Sequence, residues 1–224
     1  MLEVGPGVGA LTSALVKSAS KVVAIELDER VLAALREVAP DAEVVQADVL
    51  KTDLSAILEA LPEPRCLVSN MPYSITGPLL TKVAECKGRF RNAVLMIQKE
   101  VAQRVLAEAG DSKRGSLSVY LQLQFAITKV CDVPAAAFWP QPKVDSVVLN
   151  LVPRETGLDD MQQGKLFKLV RTGFTQPRKT LVNNLAEDYG KQAVEQALDN
   201  LGHKRNVRPH QIENKHWIAL AEAL

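Results

Sequence analysis

Leu2-Glu3-Val4-Gly5-Pro6-Gly7-Val8-Gly9 opens the chain as a short apolar run followed at once by three alternating glycines. Glycine adopts backbone conformations that other residues avoid, so this pattern predicts a sharp turn between a buried strand and a helix. The backbone amides at the start of that helix would then face a ligand. Gly5, Gly7 and Ala10 also match the looser dinucleotide fingerprint, so the loop alone does not separate NAD from S-adenosylmethionine.

Short apolar runs alternate with helical patterns over the first two-thirds of the chain. The predicted strands are Leu2–Val4, Val22–Glu26, Val44–Gln46, Leu67–Ser69 and Ala93–Gln98, and the predicted helices are Ala10–Ser18, Glu29–Val38, Leu54–Leu61 and Gly77–Cys86. This alternation predicts an α/β fold with a doubly wound, mostly parallel sheet. A helix over Ser116–Ile127 and two strands, Thr128–Val133 and Ser146–Val152, follow. We expect these two strands to form an antiparallel hairpin at the edge of the sheet.

A polar stretch, Arg154–Gly164, interrupts this rhythm and is predicted to be a linker. The residues after it show three or four short helical patterns and no strand. The sequence therefore predicts one domain over residues 1–153 and a small all-helical C-terminal domain over residues 165–224.

Composition excludes several classes of protein. The chain has 224 residues, 47% of them hydrophobic and 24% charged, with a net charge of +1, which is ordinary globular composition and names no partner. It shows neither a membrane-spanning apolar run nor a signal-peptide pattern. The three cysteines, Cys66, Cys86 and Cys131, lie far apart, so we expect no disulfide framework, no metal site and a cytoplasmic location. All three histidines lie in the last tenth of the chain, which argues against a His-based triad or a zinc hydrolase in the main body.

Two carboxylates end the next two predicted strands. Glu26 ends the second strand, where a carboxylate can accept two hydrogen bonds from ribose hydroxyls. Asp48 ends the third strand and is placed to accept a hydrogen bond from an adenine amino group. Together with the glycine loop they indicate a nucleoside-containing cofactor, whereas Asp48 alone is more often a helix cap or a solvated loop residue.

Ser69-Asn70-Met71-Pro72-Tyr73 follows the fourth predicted strand, where a doubly wound sheet faces its ligand crevice. The side-chain oxygen of Asn70 and the carbonyl of Met71 can each accept one hydrogen of a nucleobase amino group, which aims the nitrogen lone pair at an electrophile. Pro72 stiffens the loop, and Tyr73 offers an aromatic face to an unstacked base. The alternative interpretation is a strand-end turn with a packing tyrosine.

Eight segments in chain order carry a resemblance to a known family. They are Leu2–Gly7, Ala24–Asp28, Gln46–Leu50, Ser69–Tyr73, Ile97–Ala102, Leu117–Val119, Phe138–Ser146 and Phe174–Leu181. Together they resemble the ribosomal RNA adenine dimethyltransferase family, and within it the bacterial members that modify two adjacent adenosines near the 3′ end of small-subunit RNA. The resemblance implies a Rossmann-like class I methyltransferase domain that uses S-adenosylmethionine.

The resemblance assigns the cofactor contacts residue by residue. Gly5 and Gly7 would pass beneath the methionine part of S-adenosylmethionine. Glu26 would hold the ribose, Asp48 the adenine amino group and Val49 the adenine face.

The same resemblance places the catalytic residues. Asn70 would lie between the cofactor and the target amino group, within the catalytic tetrad Asn70–Tyr73. Phe138 would give the target adenine a second aromatic wall. Core packing at a sheet edge is the alternative interpretation of Phe138 and Trp139.

The sequence departs from the family pattern in three places. Family members carry a segment before the first strand, with a Gln-Asn-Phe-like motif that helps to bind the cofactor, and the printed chain begins after it. We therefore expect a late start or a truncated form, whose cofactor affinity and activity depend on that segment. Ser74 stands where many members have Asn, and Pro177 replaces the first Arg of an Arg-Arg-Lys run.

Five basic residues of the C-terminal part have no acid between them: Lys165, Lys168, Arg171, Arg178 and Lys179. The first three are spaced by three and lie along one side of a predicted helix. Each alone is more often a solvated surface residue. In an RNA-modifying protein, such a run indicates contact with phosphates.

The predicted partner is small-subunit ribosomal RNA in a pre-30S particle, bound by a monomeric protein, with no DNA and no membrane. Three alternatives stay open. One is a large-subunit RNA adenine dimethyltransferase of the macrolide-resistance type, and another is a ribosome-assembly factor that binds RNA without methylating it. The third, a nicotinamide oxidoreductase, is disfavoured by Asn70–Tyr73 and by the lack of a hydride-relay histidine.

Overall fold

The computed structural model describes residues 1–224. Its strands are β1 (Leu2–Val4), β2 (Val23–Glu26), β3 (Glu43–Gln46), β4 (Cys66–Asn70), β5 (Asn92–Gln98), β6 (Phe125–Val133) and β7 (Ser146–Pro153). Its helices are α1 (Thr12–Leu15), α2 (Glu29–Val38), α3 (Leu54–Glu59), α4 (Thr76–Glu85), α5 (Lys99–Leu106), α6 (Ser116–Gln124), α7 (Asp160–Gly173), α8 (Leu181–Tyr189), α9 (Lys191–Asn200) and α10 (Asn214–Ala223). No helix is both long enough and apolar enough to cross a bilayer.

All seven strands form one sheet in the order β3-β2-β1-β4-β5-β7-β6. β1 to β5 pair in parallel, β7 is antiparallel to β5, and β6 is antiparallel to β7. The predicted mostly parallel sheet with an antiparallel edge hairpin is confirmed. Because β1 to β5 are parallel, they all end at one edge, which we call the carboxyl edge. β7 begins at that edge, since Ser146 pairs with Gln98.

Two predicted elements differ from the structure. The helix predicted over Ala10–Ser18 is regular only over Thr12–Leu15, because Gly9 has a positive φ of 90° and no side chain caps the helix. The helix predicted over Ser116–Ile127 ends at Gln124. Phe125 and Ile127 instead begin β6, where they pair with Pro153 and Leu151 of β7. Pairing with β7 therefore makes residues 125–127 a strand although their sequence pattern is helical.

The polar stretch predicted as a linker ends earlier than its pattern indicates. α7 begins at Asp160 because Asp159 accepts a hydrogen bond from the Gln162 amide, while the Gln162 side chain bonds the Asp159 amide. This capping box satisfies two amides that would otherwise lack partners and lets the helix start. Four helices, α7 to α10, follow with no strand, as predicted.

The chain forms two compact units. The sheet unit contains Met1–Ala102 and Phe125–Arg154, and the helical unit contains Gln103–Gln124 and Glu155–Leu224. The sequence pattern assigns residues 103–124 to the first domain, whereas the structure groups them with the helices. The reason is packing: Val119 and Leu123 of α6 belong to the apolar core of the helical unit.

Candidate active site

The glycine loop, Gly5–Gly9, leaves β1 at the carboxyl edge. Its three glycines have φ values of 71°, 57° and 90°, a region that other residues rarely adopt. A Cβ on Gly9 would lie 2.9 Å from Leu35 Cδ1, so this glycine also lets the loop pack against α2. A Cβ on Gly7 would meet nothing within 4 Å. The space around Gly7 is therefore open to a ligand.

Glu26 is bonded to the glycine loop. Its Oε2 accepts from the Gly7 amide at 3.0 Å, and its Oε1 accepts from the Leu27 and Asp28 amides, both at 2.8 Å. A carboxylate has about four acceptor positions, so one ribose hydroxyl can bond Glu26 without rearrangement. The second hydroxyl bond predicted from the sequence requires one of these three amides to release its bond.

Asp48 keeps one oxygen without a hydrogen bond. Its Oδ1 accepts from the Leu50 amide at 2.9 Å, whereas Oδ2 accepts no hydrogen bond and forms only a long ion pair, 3.9 Å from the Nζ of the exposed Lys51. The next helix, α3, is capped by Asp53, not by Asp48, so the helix-cap interpretation of Asp48 is wrong. Val49, beside it, is buried. This pair can offer one acceptor and one apolar wall to a purine ring.

The tetrad Asn70–Tyr73 is a rigid turn with one free side chain. Met71 as a whole is only 1% exposed, and its amide donates to the Met96 carbonyl at 3.0 Å. The Pro72 carbonyl accepts from the Ile75 amide at 3.1 Å. The Asn70 side chain, by contrast, is exposed and has no hydrogen-bond partner in the protein. Its oxygen is available to a substrate amino group.

The glycine loop and the tetrad lie next to each other. A Cβ on Gly5 would lie 3.4 Å from Pro72 Cδ and 3.7 Å from the Asn70 carbonyl oxygen. One residue before Asn70, the buried Ser69 hydroxyl donates to the Val4 carbonyl at 2.7 Å and ties β4 to β1. The structure thus brings the predicted cofactor loop and the predicted catalytic loop together.

Tyr73 is held by a residue that the sequence pattern did not single out. Its hydroxyl lies 2.7 Å from the Ser146 hydroxyl, and Ser146 is fully buried at the start of β7. The only sequence signal for Ser146 is its place at the end of the Phe138–Ser146 segment. This hydrogen bond fixes the direction of the Tyr73 ring at the carboxyl edge.

Phe138 lies in the segment between β6 and β7, and its side chain is half-buried. Because Val133 and Gln98 both pair with Ser146, that segment leaves and returns at the carboxyl edge. Core packing is the wrong interpretation of the neighbouring Trp139, which is 98% exposed.

Glu3 is a further polar residue of β1 that the sequence pattern did not assign a role. The side chain is buried, and neither Glu3 Oε2 nor the buried Thr12 hydroxyl has a hydrogen-bond partner by distance and angle. Burial raises the pKa of the Glu3 carboxyl above its usual value. Elsewhere in the chain, no group of three or more His, Cys, Asp or Glu side chains is arranged to hold a metal ion.

The predicted RNA-contacting residues divide among three surfaces of the helical unit. Arg178 and Lys179 line a cleft of about 580 Å³ together with Arg208 and His210. Arg208 is distant in sequence from the basic run, so its place in this cleft could not be predicted from the pattern.

The other three lysines and arginines of the run lie apart from that cleft. Lys168 and Arg171 line a second cleft of about 540 Å³, next to Phe174. Lys165 lies instead in an apolar groove, beside Met161.

None of the five basic residues of the run makes an ion pair. Other cations of the same unit do: Lys191 pairs with Glu195, and Lys215 pairs with Glu213. The run therefore presents uncompensated positive charge to solvent, which favours contact with a polyanion.

Known proteins share this fold and sequence along almost the whole chain. The family model for ribosomal RNA adenine dimethylase matches residues 1–223. The ribosomal RNA small subunit methyltransferase A of Levilactobacillus brevis is 39% identical over 235 residues, a match that covers 100% of this chain and 79% of that protein. The protein of the same name from Nostoc sp. is 37% identical, with 100% and 87% coverage.

Two solved structures are similar over nearly their whole length. A dimethyladenosine transferase from Plasmodium falciparum superposes with a TM-score of 0.80 at 30% identity, covering 98% of this chain and 87% of that one. The 23S rRNA methyltransferase ErmE gives a TM-score of 0.74 at 30% identity, covering 100% and 89%. The predicted Rossmann-like class I methyltransferase fold is thereby confirmed, and the chain belongs to the ribosomal RNA adenine dimethylase family.

Proposed function

We propose that this protein transfers methyl groups from S-adenosylmethionine to the exocyclic amino groups of two adjacent adenosines near the 3′ end of small-subunit ribosomal RNA. As a member of its family, it is an rRNA adenine dimethyltransferase. The observation that carries the finer proposal is that Asn70, whose side chain is exposed and unbonded, has its backbone next to the open glycine loop. The pre-30S particle, the monomeric state and the cytoplasmic location belong to the same proposal.

The residues at the carboxyl edge fit S-adenosylmethionine. The open space at Gly7 matches a methionine tail, and the remaining acceptor position of Glu26 matches a ribose. The Oδ2 of Asp48, which accepts no hydrogen bond within the chain, matches an adenine amino group. Val49 supplies the apolar wall for the adenine face. When bound, S-adenosylmethionine supplies a methyl group on a positively charged sulfur.

Asn70 and Met71 would position the target nitrogen. A base amino group is a poor nucleophile because its lone pair is conjugated with the ring. Accepting one amino hydrogen at the Asn70 side-chain oxygen and one at the Met71 carbonyl favours a pyramidal nitrogen with a directed lone pair. No general base is needed at the start, because the alkylated nitrogen is acidic enough to lose its proton to water afterwards.

Tyr73 and Phe138 would hold the target adenine outside its stack. An extruded base needs aromatic or apolar walls to replace the stacking it has lost. The Ser146 hydroxyl fixes the Tyr73 ring, so one such wall is already in place before RNA binds.

The helical unit would supply affinity for RNA. Arg178 and Lys179 share their cleft with Arg208, and none of the three is paired with an acid. Contacts of this kind bind phosphates and position the RNA without reading its sequence.

Primer extension on undermethylated small subunits tests the proposal. Dimethylated adenosines block Watson–Crick pairing, so we expect reverse transcription to stop near the 3′ end only after incubation with both protein and S-adenosylmethionine. The same assay is run in parallel on undermethylated large subunits. Stops on large subunits alone would identify the large-subunit alternative. Binding of small subunits without stops, in a chain extended by the family's N-terminal segment as well as in the printed chain, would identify a non-catalytic assembly factor.

Calorimetry tests the cofactor site separately. Glu26→Ala and Asp48→Ala should each weaken S-adenosylmethionine binding by about 5- to 150-fold, the cost of losing hydrogen bonds of roughly 1–3 kcal/mol at a partly buried site. Glu37→Ala, which removes an exposed and unpaired carboxylate of α2, is the matched control. Unchanged affinity in both site variants would remove the cofactor assignment.

A further inference from the structure

Trp139 is the most exposed of the large apolar side chains, at 98% of its possible surface. The other tryptophan of the chain, Trp217, is completely buried in the helical unit. Single exposed apolar residues are common on protein surfaces, so exposure alone assigns no role. The position and the neighbours of Trp139 carry the inference.

Trp139 lies at the same edge of the sheet as the candidate active site. The segment that bears it joins β6 to β7, and both ends of this segment are fixed at the carboxyl edge by the pairing of Ser146 with Val133 and Gln98. Phe138, assigned to the target adenine, is the preceding residue. Any base that follows or precedes the target adenine in an RNA strand therefore passes close to this segment.

The segment is anchored, so the indole is presented by a defined backbone. The Asp145 carboxylate accepts from the Ala135 amide at 3.1 Å and from Lys99 Nζ at 3.4 Å, and both contacts hold the pKa of this carboxyl below its usual value. The Lys99 amide also donates to the Asp145 carbonyl at 2.9 Å, and the Phe138 amide donates to the Ala135 carbonyl at 3.2 Å. A side chain on an anchored segment loses less conformational entropy on binding than one on a free loop.

A free cation in the segment that bears Trp139 favours a nucleic acid over an apolar partner. Lys143 lies in the same segment, is exposed, and makes no ion pair or side-chain hydrogen bond. Proteins that bind single-stranded nucleic acid combine exposed aromatic rings, which stack on bases, with cations that meet the phosphates.

We propose that Trp139 stacks on the base that flanks the methyl-accepting adenosine, and that Lys143 contacts the neighbouring phosphate. This inference rests on the proposed RNA-modifying function and adds a second base contact to it. Because every base has a stackable face, the contact would hold the strand in place without selecting its sequence.

Fluorescence reports the stacking directly. Iodide quenches only solvent-accessible indoles, so the iodide-sensitive emission of this protein comes from Trp139, since Trp217 is buried. A short single-stranded RNA with two adjacent adenosines should quench this emission and protect what remains from iodide. Trp139→Phe should abolish the iodide-sensitive component. Saturating RNA that leaves the emission and its iodide sensitivity unchanged would overturn the inference.

Affinity measurements with an altered RNA test which base is involved. Trp139→Ala should weaken binding of that RNA by roughly 5- to 150-fold, the range of one lost base stack, while S-adenosylmethionine binding stays unchanged. An abasic site next to the target adenosine, on one side or the other, should weaken binding by the wild-type protein by a similar factor. The same abasic site should have little effect on Trp139→Ala.

Met161→Ala, which removes another highly exposed apolar side chain, is the matched control. If Trp139→Ala behaves like Met161→Ala while the wild-type protein binds and methylates small subunits, only this inference fails. If the wild-type protein neither binds nor methylates them, the proposed function fails and this inference fails with it.

Discussion

Several polar groups at the carboxyl edge of the sheet are bonded to the chain itself, whereas the basic run of the helical unit, Lys165 to Lys179, has no acidic partner. Glu26 accepts three backbone amides, and Tyr73 is held by Ser146. In the helical unit, Arg178 and Lys179 have no acidic partner. A lack of acidic residues in the helical unit does not explain why these cations are unpaired, because Arg205 of the same unit pairs with two acids.

The two arrangements suit two different tasks. Methyl transfer needs the reacting atoms to be held in place to within about 1 Å, since a misplacement of that size costs about 10²-fold in rate. Binding to a polyanion needs cations that can replace condensed counterions. We therefore expect substitutions at the carboxyl edge to change rate and stability, and substitutions of the basic run to change affinity in a salt-dependent way.

Asn70→Ala should have the largest effect. It tests whether residues at the carboxyl edge control the rate of methyl transfer. We expect methyl transfer to fall by about 10²-fold or more, with cofactor affinity little changed, because the side chain aims the target nitrogen. Single-turnover transfer of labelled methyl groups to undermethylated small subunits, at saturating cofactor, measures it. Asn200→Ala, in α9 of the helical unit, serves as the control. Transfer within a few-fold of wild type by the Asn70 variant would contradict the mechanism.

Gly9→Ala tests whether the glycine loop is fixed by its own packing. The positive φ of 90° and the 2.9 Å approach of a new Cβ to Leu35 should destabilise the fold by roughly 1–3 kcal/mol. Gly77→Ala in α4, where a Cβ meets nothing within 4 Å, should instead stabilise it by about 0.5–1 kcal/mol. Urea unfolding of both variants gives the two free energies. Equal shifts of the same sign would show that the loop tolerates other residues.

Arg178→Ala combined with Lys179→Ala tests the free cations. Removing two phosphate contacts should lower the slope of log affinity against log salt by about 1.4–1.8, depending on the strandedness of the RNA. Lys191→Ala combined with Lys215→Ala removes two cations that already have acidic partners in the same unit, so that slope should barely change. Filter binding over a range of salt concentrations compares them. Identical slopes in the two double variants would mean that the contrast between paired and free cations has no bearing on RNA binding.

Glu3→Gln should have the smallest effect, and its effect on stability should depend on pH. Burial raises the pKa of this carboxyl, so the native state loses stability as the pH rises from the ordinary value of a glutamate through the raised one. The glutamine variant carries no such charge and should gain in relative stability over that window. Each kcal/mol corresponds to about 2–4 °C in Tm for a chain of this size. Thermal unfolding at acidic and neutral pH, with Glu37→Gln as the exposed control, measures it; a pH-independent difference would contradict this reasoning.

The succession of strands and helices along the sheet unit could be predicted from the sequence because each parallel strand contains a short apolar run with clear breaks on either side. The parallel arrangement then brings Glu26, Asp48 and Asn70 to one edge. β6 could not be bounded correctly, since its first residues continue a helical pattern and only pairing with β7 makes them a strand. At residues 125–127, pairing between distant strands therefore outweighs the local sequence pattern.

Side-chain partners between distant segments were beyond prediction from the sequence. Tyr73 and Ser146 are 73 residues apart, and nothing in either local pattern indicates their bond. The exposure of Trp139 is also a property of the loop path between β6 and β7, whereas its composition favours burial. The roles assigned to the site residues stay predictions until the variants are measured.

The division of the helical unit into two stretches of chain has a consequence for synthesis on the ribosome. Gln103–Gln124 emerges before residues 155–224, which complete that unit. Val119 and Leu123 therefore remain uncovered, and open to misassembly, until the last helices have been translated. A stop codon after β7 would leave them uncovered permanently, so no single truncation can yield the sheet unit alone. An isolated sheet unit would need an internal deletion as well, with a new turn joining Ala102, within α5, to Phe125 of β6.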